Sequence, residues 1–375
     1  MVALLIIVIL AALALQRYFV RRAKDAGNIK YVCRPSVRSC EPGEVFLVHS
    51  NVANTGKRPS AAIYIEERFP EQLNVLESEQ FNVIVLKNGY RIYSSSVIIR
   101  PKQQIKRYLR ASISERGEYR FSDADFKAGD FLGFHEFSHR MENDARIVVF
   151  PPKIEDAAFL SAFSNAADEI ARRKQLLEDP ISVCGYDPYT GREPLRMISW
   201  KQSAIRNELT VKKYDPVWNR SVQIVLDMQY HGEFDLNRRR QEICFSTART
   251  VCEELEKRHI GYRLVTNAVI SEDISVLSSE GGMGGSFRKI LYSLGVAKHG
   301  AFCTLEETMR VACDAPGKQE LIVFIATRPD DDVTESLNRA RAFTGAKIVT
   351  LFASDLLPTP DDDKAKPSLK GGTKA

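Results

Sequence analysis

The chain has 375 residues, a length that accommodates two or three domains. Its 44% hydrophobic and 27% charged residues are typical of a folded globular protein. The net charge of +5 is too small to indicate a nucleic-acid-binding protein, and no zinc finger, aromatic RNA-binding box or basic tail is present. The seven cysteines show no CxxC or metal spacing, which suits a reducing compartment better than a disulfide framework.

Residues 2–15 form an uninterrupted apolar run with no basic residue before it and several basic residues after it. Arg17, within the continuation of this run, can extend its charged group toward the headgroups. A secretory signal peptide has the reverse order. We therefore predict an uncleaved transmembrane anchor over residues 1–20, with the body of this single-pass membrane protein facing the cytoplasm. The alternative is a helix buried within the fold.

Residues 29–150 contain short β-branched and aromatic runs, divided by turn formers such as Pro42-Gly43 and Asn88-Gly89. This spacing predicts an antiparallel β-sandwich domain, immunoglobulin-like in shape. His135 and His139 lie at a helical i,i+4 spacing in this region. A metal pair is one interpretation, but two ligands without a third make a weak site.

Residues 151–180 begin with Pro151-Pro152 and then show helical apolar spacing, which Asp179-Pro180 ends. We predict a helical linker here.

Residues 181–218 combine a tryptophan with many basic residues in one short polar segment. These residues are Arg192, Arg196, Trp200, Lys201, Arg206, Lys212 and Lys213. One interpretation is a solvated basic loop in which Arg and Lys stems cover the indole ring. The other is a surface for an acidic partner or an anionic ligand. Composition alone does not separate the two.

Residues 219–355 alternate between apolar strands and amphipathic helices, with strands at 221–227, 262–266, 321–326 and 346–352. Buried strands separated by helices predict a parallel sheet with helices on both faces. Residues 356–375 are rich in Asp, Lys and Pro, and we predict a disordered tail.

The basic segment resembles the signature of the domain of unknown function 58 family. The matching residues are Tyr186, Gly191, Arg196, Ile198, Trp200, Ser203, Ala204, Leu209, Val211 and Lys212. Cys184 and Arg192 stand where that family usually has Arg and Asp, and Ile205 separates Ala204 from Arg206. The order of membrane segment, β-rich region, signature and α/β domain also resembles the family. The resemblance implies a von Willebrand factor A-like α/β domain at 219–355 and a MoxR-type AAA+ ATPase as partner.

We accordingly predict interaction residues within the signature. They are Tyr186, Gly191, Arg196, Trp200, Lys201, Ser203, Arg206 and Lys212.

Asp227 ends the first strand of the α/β domain, where ligands of such sheets bind. Von Willebrand factor A domains hold Mg²⁺ there with Asp-x-Ser-x-Ser, but this chain has Gln229 and His231 at the two Ser positions. Asp330 would resemble the second Asp, and Thr266 or Ser286 would supply a hydroxyl. Because His is a poor Mg²⁺ ligand, the other interpretation is that Asp227 caps a turn or pairs with an Arg.

The function predicted from these features is a non-enzymatic, membrane-anchored adaptor that needs no cofactor and partners a MoxR-type ATPase. A divalent-metal-dependent binding domain using Asp227 is the second hypothesis. A hydrolase using His135 or His231 is the third, and no nucleophile–base–orienter set can be assembled for it from the sequence.

Overall fold

A computed structural model describes most of the chain as two compact units, Met1–Pro152 and Lys153–Ala375. The described residues are 2–24, 28–57, 63–77, 82–87, 89–129, 136–175, 178–191, 193–216, 220–229, 234–270, 277–281, 286–314 and 319–358. His135, Arg192, His231 and most of the predicted tail lie outside them.

The first unit begins with helix α1 (Val2–Lys24). Within the described residues, no helix combines the length and apolar character that crossing a membrane requires. The predicted transmembrane anchor over residues 1–20, and the single-pass, cytoplasm-facing location derived from it, are therefore wrong. The apolar run at residues 2–15 is shorter than the about 20 residues that a span usually needs.

The rest of the first unit is built from strands. They are β1 (Ile29–Pro35), β2 (Ser39–Cys40), β3 (Phe46–Asn54), β4 (Ile63–Pro70), β5 (Asn74–Glu77), β6 (Asn82–Lys87), β7 (Tyr90–Val97), β8 (Gln104–Ser112), β9 (Gly117–Phe121), β10 (Ala124–Gly129), β11 (Glu136–Met141) and β12 (Ala145–Val149).

The described strands of this unit form three sheets with the orders β1-β3-β8-β5, β11-β10-β4-β7-β6 and β2-β12-β9. Neighbouring strands are antiparallel, apart from the parallel pair β2 and β12. Burial alternates along β1 and β3, as expected when one face of a sheet packs on a core and the other is solvated. All three sheets contribute to one core, for example through Val48, Ile65 and Ile147.

A buried ion pair lies among these apolar residues. Arg107 Nη2 is 2.7 Å from Glu67 Oε2, and both side chains are almost fully buried. Glu67 Oε1 also accepts a hydrogen bond from the Tyr31 hydroxyl at 2.9 Å. Because buried charges are tolerated only when paired and hydrogen-bonded, these partners hold strands β1, β4 and β8 in one arrangement.

The second unit contains the remaining helices and strands. They are α2 (Ala157–Gln175), β13 (Glu178–Pro188), α3 (Trp200–Arg206), β14 (Thr210–Pro216), β15 (Arg220–Leu226), α4 (Phe234–Lys257), β16 (Gly261–Thr266), β17 (Ala268–Val269), β18 (Leu277–Gly281), α5 (Ser286–Val296), β19 (Lys298–Ala301), α6 (Leu305–Cys313), β20 (Leu321–Ala326), α7 (Asp331–Thr344) and β21 (Lys347–Phe352).

The main sheet of this unit has the order β18-β16-β15-β20-β21. Strands β16, β15, β20 and β21 are parallel to their neighbours, and β18 pairs antiparallel with β16. Every residue of β20 is buried, because each face of the sheet has its own apolar cluster. Helix α2, the predicted linker, contributes Phe163 and Ala167 to one of these clusters and is thus part of this unit's core.

Candidate functional site

The family-like segment is a hairpin that carries a short helix. Strands β13 and β14 pair antiparallel, with Tyr186 opposite Lys212. Between them the chain forms a 3₁₀ turn at Leu195–Met197 and then helix α3. An isolated bridge from Ile198 to Val211 attaches the start of this excursion to β14.

Hydrogen bonds fix α3 on the hairpin. The Ser199 N–H donates to the Thr210 carbonyl at 2.9 Å, and the Thr210 N–H donates to Ser203 Oγ at 2.9 Å. The side chains of Ser203 and Thr210 are buried, with their hydroxyl oxygens 3.2 Å apart. Asn207 ends the helix in the left-handed conformation, with φ of 53°. The helix therefore has one fixed face.

The opposite face of α3 is open. Because Ser203 faces the hairpin, the 3.6-residue helical period places Lys201 and Ile205 on the outer side, whereas Trp200, three residues before Ser203, lies at the edge of the fixed face. Trp200 and Ile205 are each 67% exposed, and the nearby Leu195 is 68% exposed. Trp side chains are highly buried on average, so this indole is unusual. The prediction of an indole covered by basic stems does not match this exposure.

Basic residues are interspersed with these apolar residues along the hairpin. Arg196, Lys201 and Arg206 are exposed, and Lys212 is half-buried. Arg206 Nη1 donates to the Tyr186 carbonyl at 3.4 Å, which holds the end of α3 near β13. No carboxylate in the described part of the chain forms an ion pair with any of these four cations. We call this exposed group the Trp200 surface. It consists of Leu195, Arg196, Trp200, Lys201, Ile205, Arg206, Leu209 and Lys212.

The predicted signature residues thus occupy one hairpin, with different roles. Ser203 is an internal contact, and Gly191 has φ of 86°, a conformation that glycine adopts without strain. Sequence reasoning missed the exposure of Leu195, Ile205 and Leu209. The available signal was that these apolar residues are interspersed with basic residues in a segment too short to form its own core.

Asp227 lies in a buried polar network after strand β15. Its side chain is 1% exposed, and Oδ1 accepts hydrogen bonds from Asn267 Nδ2 at 2.7 Å and from the Gln229 N–H at 3.2 Å. Asn267 Oδ1 in turn accepts from the Met228 N–H at 2.8 Å. The carboxylate therefore caps the turn that follows its strand, as the second interpretation from the sequence predicts.

Asp330 and Thr266, two of the other residues predicted for metal binding, also have local hydrogen-bonding roles, whereas Ser286 Oγ is buried without a hydrogen-bond partner among the described residues. Asp330 caps helix α7 by accepting a hydrogen bond from the Asp331 N–H at 2.7 Å, and Thr266 Oγ1 accepts from the Ala268 N–H at 3.1 Å. Within the described residues, no group of three or more His, Cys, Asp or Glu side chains is arranged to hold a metal ion. Mg²⁺ binding stays an untested prediction.

The four buried cysteines, Cys33, Cys40, Cys244 and Cys252, are poor candidates for nucleophiles. Burial raises the pKa of the Cys33, Cys244 and Cys252 thiols, and it raises the pKa of Cys40 to about 11. Since the thiolate is the reactive form, these side chains are protonated and inert near neutral pH. Of the predicted histidines, His139 is exposed on β11, whereas His135 and His231 lie outside the described residues.

No protein-family model matches the chain, and no curated protein matches it. Solved structures do match part of it. A non-cellulosomal cohesin from the hyperthermophilic archaeon Archaeoglobus fulgidus is 14% identical, with a TM-score of 0.23, over 32% of this chain and 91% of that chain. A CARDB domain from Pyrococcus furiosus, in complex with di-metal ions, is 10% identical, with a TM-score of 0.20, over 31% of this chain and 86% of that chain.

A type I cohesin–dockerin complex from Clostridium thermocellum is 13% identical, with a TM-score of 0.23, over 32% of this chain and 99% of that chain. The predicted fold class, a transmembrane helix followed by a β-sandwich and a von Willebrand factor A-like domain, is corrected, because no described helix has the length and apolar character to cross a membrane. The second unit contains a mainly parallel sheet between helices, and we do not assign it to the von Willebrand factor A class.

Proposed function

We propose that the chain is a non-enzymatic interaction protein that binds a protein partner through the Trp200 surface, and that this partner is a MoxR-type AAA+ ATPase. The observation that carries the proposal is the 67% exposure of Trp200 on a helix that Ser203 and Thr210 fix to the hairpin. The likeness of this segment to the family signature supports the identity of the partner.

Burial of the apolar side chains would supply the affinity. An aromatic side chain offers roughly 150–250 Å² of surface, and burial is worth about 25 cal/mol per Å² of apolar area. Trp and Arg are the residues most enriched among those that dominate binding energies. Because hydrogen bonds already order α3, little conformational entropy would be lost when a partner covers it.

The cations define the chemistry of the partner. Arg196, Lys201 and Arg206 are neighbours of the apolar residues in the Trp200 surface, and none of them forms an ion pair with a described carboxylate. A complementary surface would carry Asp or Glu around an apolar pocket that accepts the indole. Such charges steer association and select among partners, so binding should weaken as salt concentration rises.

The test is a binding titration between the purified full-length chain and a purified MoxR-type ATPase from the same organism. Trp200→Ala should weaken binding at least about ten-fold, because it removes the central apolar contact. Phe343→Ala is the matched control, since Phe343 is an exposed aromatic residue on helix α7, outside the surface. Circular dichroism should show the wild-type fold for both variants, because exposed side chains contribute little to stability.

A second pair of variants tests the charges. Lys201→Glu should weaken binding and flatten its salt dependence, whereas Lys298→Glu, at an exposed position of β19, should leave both unchanged. Wild-type affinity in both Trp200→Ala and Lys201→Glu would refute the assignment of the surface. Absence of ATPase binding to the wild-type chain would refute the assignment of the partner.

A further inference from the structure

A second exposed face lies in the first unit, on strands β1, β3 and β8. Burial alternates along these strands, so every second side chain points away from the core. The outward positions are Lys30, Val32, Arg34, Leu47, His49, Asn51, Ala53, Gln104, Lys106, Tyr108 and Arg110. We call this group the β1–β3–β8 face. It shares no residue with the Trp200 surface.

Strand register places these side chains in two rows. Arg34 is opposite His49, and His49 is opposite Tyr108. In the next row Val32 is opposite Asn51, and Asn51 is opposite Lys106. Outward-pointing residues paired in this way have neighbouring side chains. Between the rows lies a cavity of about 250 Å³ that is open to solvent and lined by these six residues, with Ser50 and Arg107 at its base.

The charge on this face is of one sign. Lys30, Arg34 and Lys106 are basic, and none of the outward positions on the three strands is acidic. Arg110 is also basic and lies opposite Glu77 of the neighbouring strand β5. On the other large sheet of the same unit, two cations are paired with carboxylates of the same sheet. There Lys127 forms an ion pair with Glu66 at 2.9 Å, and Arg68 pairs with Asp125.

We propose that the β1–β3–β8 face docks an acidic, extended segment of a protein partner. One carboxylate of this segment enters the cavity between Arg34 and Lys106, while apolar side chains of the segment lie against Val32, Leu47 and Tyr108. Arg and Tyr are enriched in protein interfaces, and complementary charge supplies both attraction and register. The exposed aliphatic side chains would gain by contact with protein and gain little from a phosphate backbone.

The aromatic geometry favours protein over single-stranded nucleic acid. Nucleic-acid-binding sheets offer ring faces on which successive bases stack. Here the Tyr108 and His49 rings meet edge to face, with centroids 5.0 Å apart and an interplanar angle of 82°. The two rings therefore do not form parallel platforms for neighbouring bases. A cavity of about 250 Å³ suits one acidic side chain better than a continuous backbone track.

The test is fluorescence anisotropy with the full-length chain and a labelled peptide of alternating Glu and Leu. A Gln-and-Leu peptide of equal length serves as the uncharged probe. We expect the Glu peptide to bind, and Lys106→Glu or Arg34→Glu to weaken binding at least about ten-fold. Arg120→Glu is the matched control, because Arg120 is exposed on β9, outside the face. Trp200→Ala should also leave peptide binding unchanged, since Trp200 lies in the second unit and the β1–β3–β8 face lies in the first.

Four results would overturn the proposal. The Glu peptide fails to bind, or it binds equally to Lys106→Glu and Arg120→Glu. The loss follows Trp200→Ala instead, which would place the peptide on the Trp200 surface. A labelled single-stranded oligonucleotide binds more tightly than the peptide and is lost in Lys106→Glu, which would make the face a nucleic-acid site. Lys106→Gln replaces Lys106→Glu if charge reversal disturbs the fold, and it should still weaken binding.

Discussion

At the residue scale, Asp227 shows how a buried carboxylate at a strand end can be structural. Its Oδ1 atom accepts from Asn267 Nδ2 and from the Gln229 N–H, and these bonds fix the chain just after β15. The same residue type at the same place in other α/β sheets serves ligand binding. The difference lies in the neighbours, because here an Asn amide donates to the carboxylate.

This network predicts that loss of one buried side chain, the Asn267 amide, lowers the free energy of unfolding substantially. Asn267→Ala would remove one of the donors to the Asp227 carboxylate and the acceptor of the Met228 N–H, at a cost of about 1–3 kcal/mol in the free energy of unfolding. Asn338→Ala, at an exposed position on α7, should change it by less than about 0.5 kcal/mol. Urea denaturation measures both, and equal stabilities of the two variants would contradict the role of Asn267.

At the element scale, helix α3 shows how a short helix can present a rigid surface. It spans Trp200–Arg206, and isolated helices shorter than about 12–15 residues are marginal in water. Its order therefore comes from the hairpin, through Ser203 and Thr210, and not from helix propensity. Because those anchors are buried, the outer face can carry apolar and basic side chains without weakening the helix.

Helix α6 depends instead on its own first turn. Thr304 Oγ1 accepts from the Glu307 N–H at 3.3 Å, and Glu307 Oε2 accepts from the Thr304 N–H at 3.1 Å, which is a capping box. Thr304→Ala should lower the free energy of unfolding by about 1 kcal/mol, as measured by urea denaturation. Thr304→Ser is the control, because it keeps the accepting oxygen. A loss in Thr304→Ser as large as in Thr304→Ala would contradict the capping explanation.

At the scale of the whole molecule, local pattern predicted some elements well and their environments less well. The apolar run at Leu321–Ala326 is a strand over those same residues, because a run bounded by turn formers and buried on both faces has few alternatives. The helical spacing after Pro152 likewise predicted α2. The spacing did not predict that Phe163 packs into the core of the second unit. Periodicity indicates which face of a helix is apolar, but not which element that face packs against.

The Trp200 surface was also hard to predict, because it too depends on packing between elements. The sequence places Trp200 and Lys201 in one basic segment, but their exposure depends on how Ser203 and Thr210 attach α3 to the hairpin. The contact between Ser203 and Thr210 joins two parts of the hairpin, and no periodic pattern in the sequence predicts it. The membrane helix was wrongly predicted because an apolar run followed by basic residues resembles a span in composition while being short of its length.

The two units have separate apolar clusters, which leads to a last prediction about unfolding. Glu67→Ala breaks the buried pair with Arg107, a change that typically costs about 3–5 kcal/mol, and all of that pair lies in the first unit. Cys33 and Cys40 are free, buried thiols of the same unit, whereas Cys244 and Cys252 are free, buried thiols of the second. Each thiol becomes reactive only when its own surroundings open.

Thiol labelling across a urea series, read by mass spectrometry, can therefore follow each unit separately. Glu67→Ala should shift the labelling midpoint of Cys33 and Cys40 to lower urea and leave that of Cys244 and Cys252 in place; Asn267→Ala should do the reverse. Lys127→Ala, which removes a more exposed pair with Glu66, should shift either midpoint little, since such pairs contribute about 0–1 kcal/mol. Equal shifts of all four thiols in either variant would show that the two cores unfold as one cooperative structure.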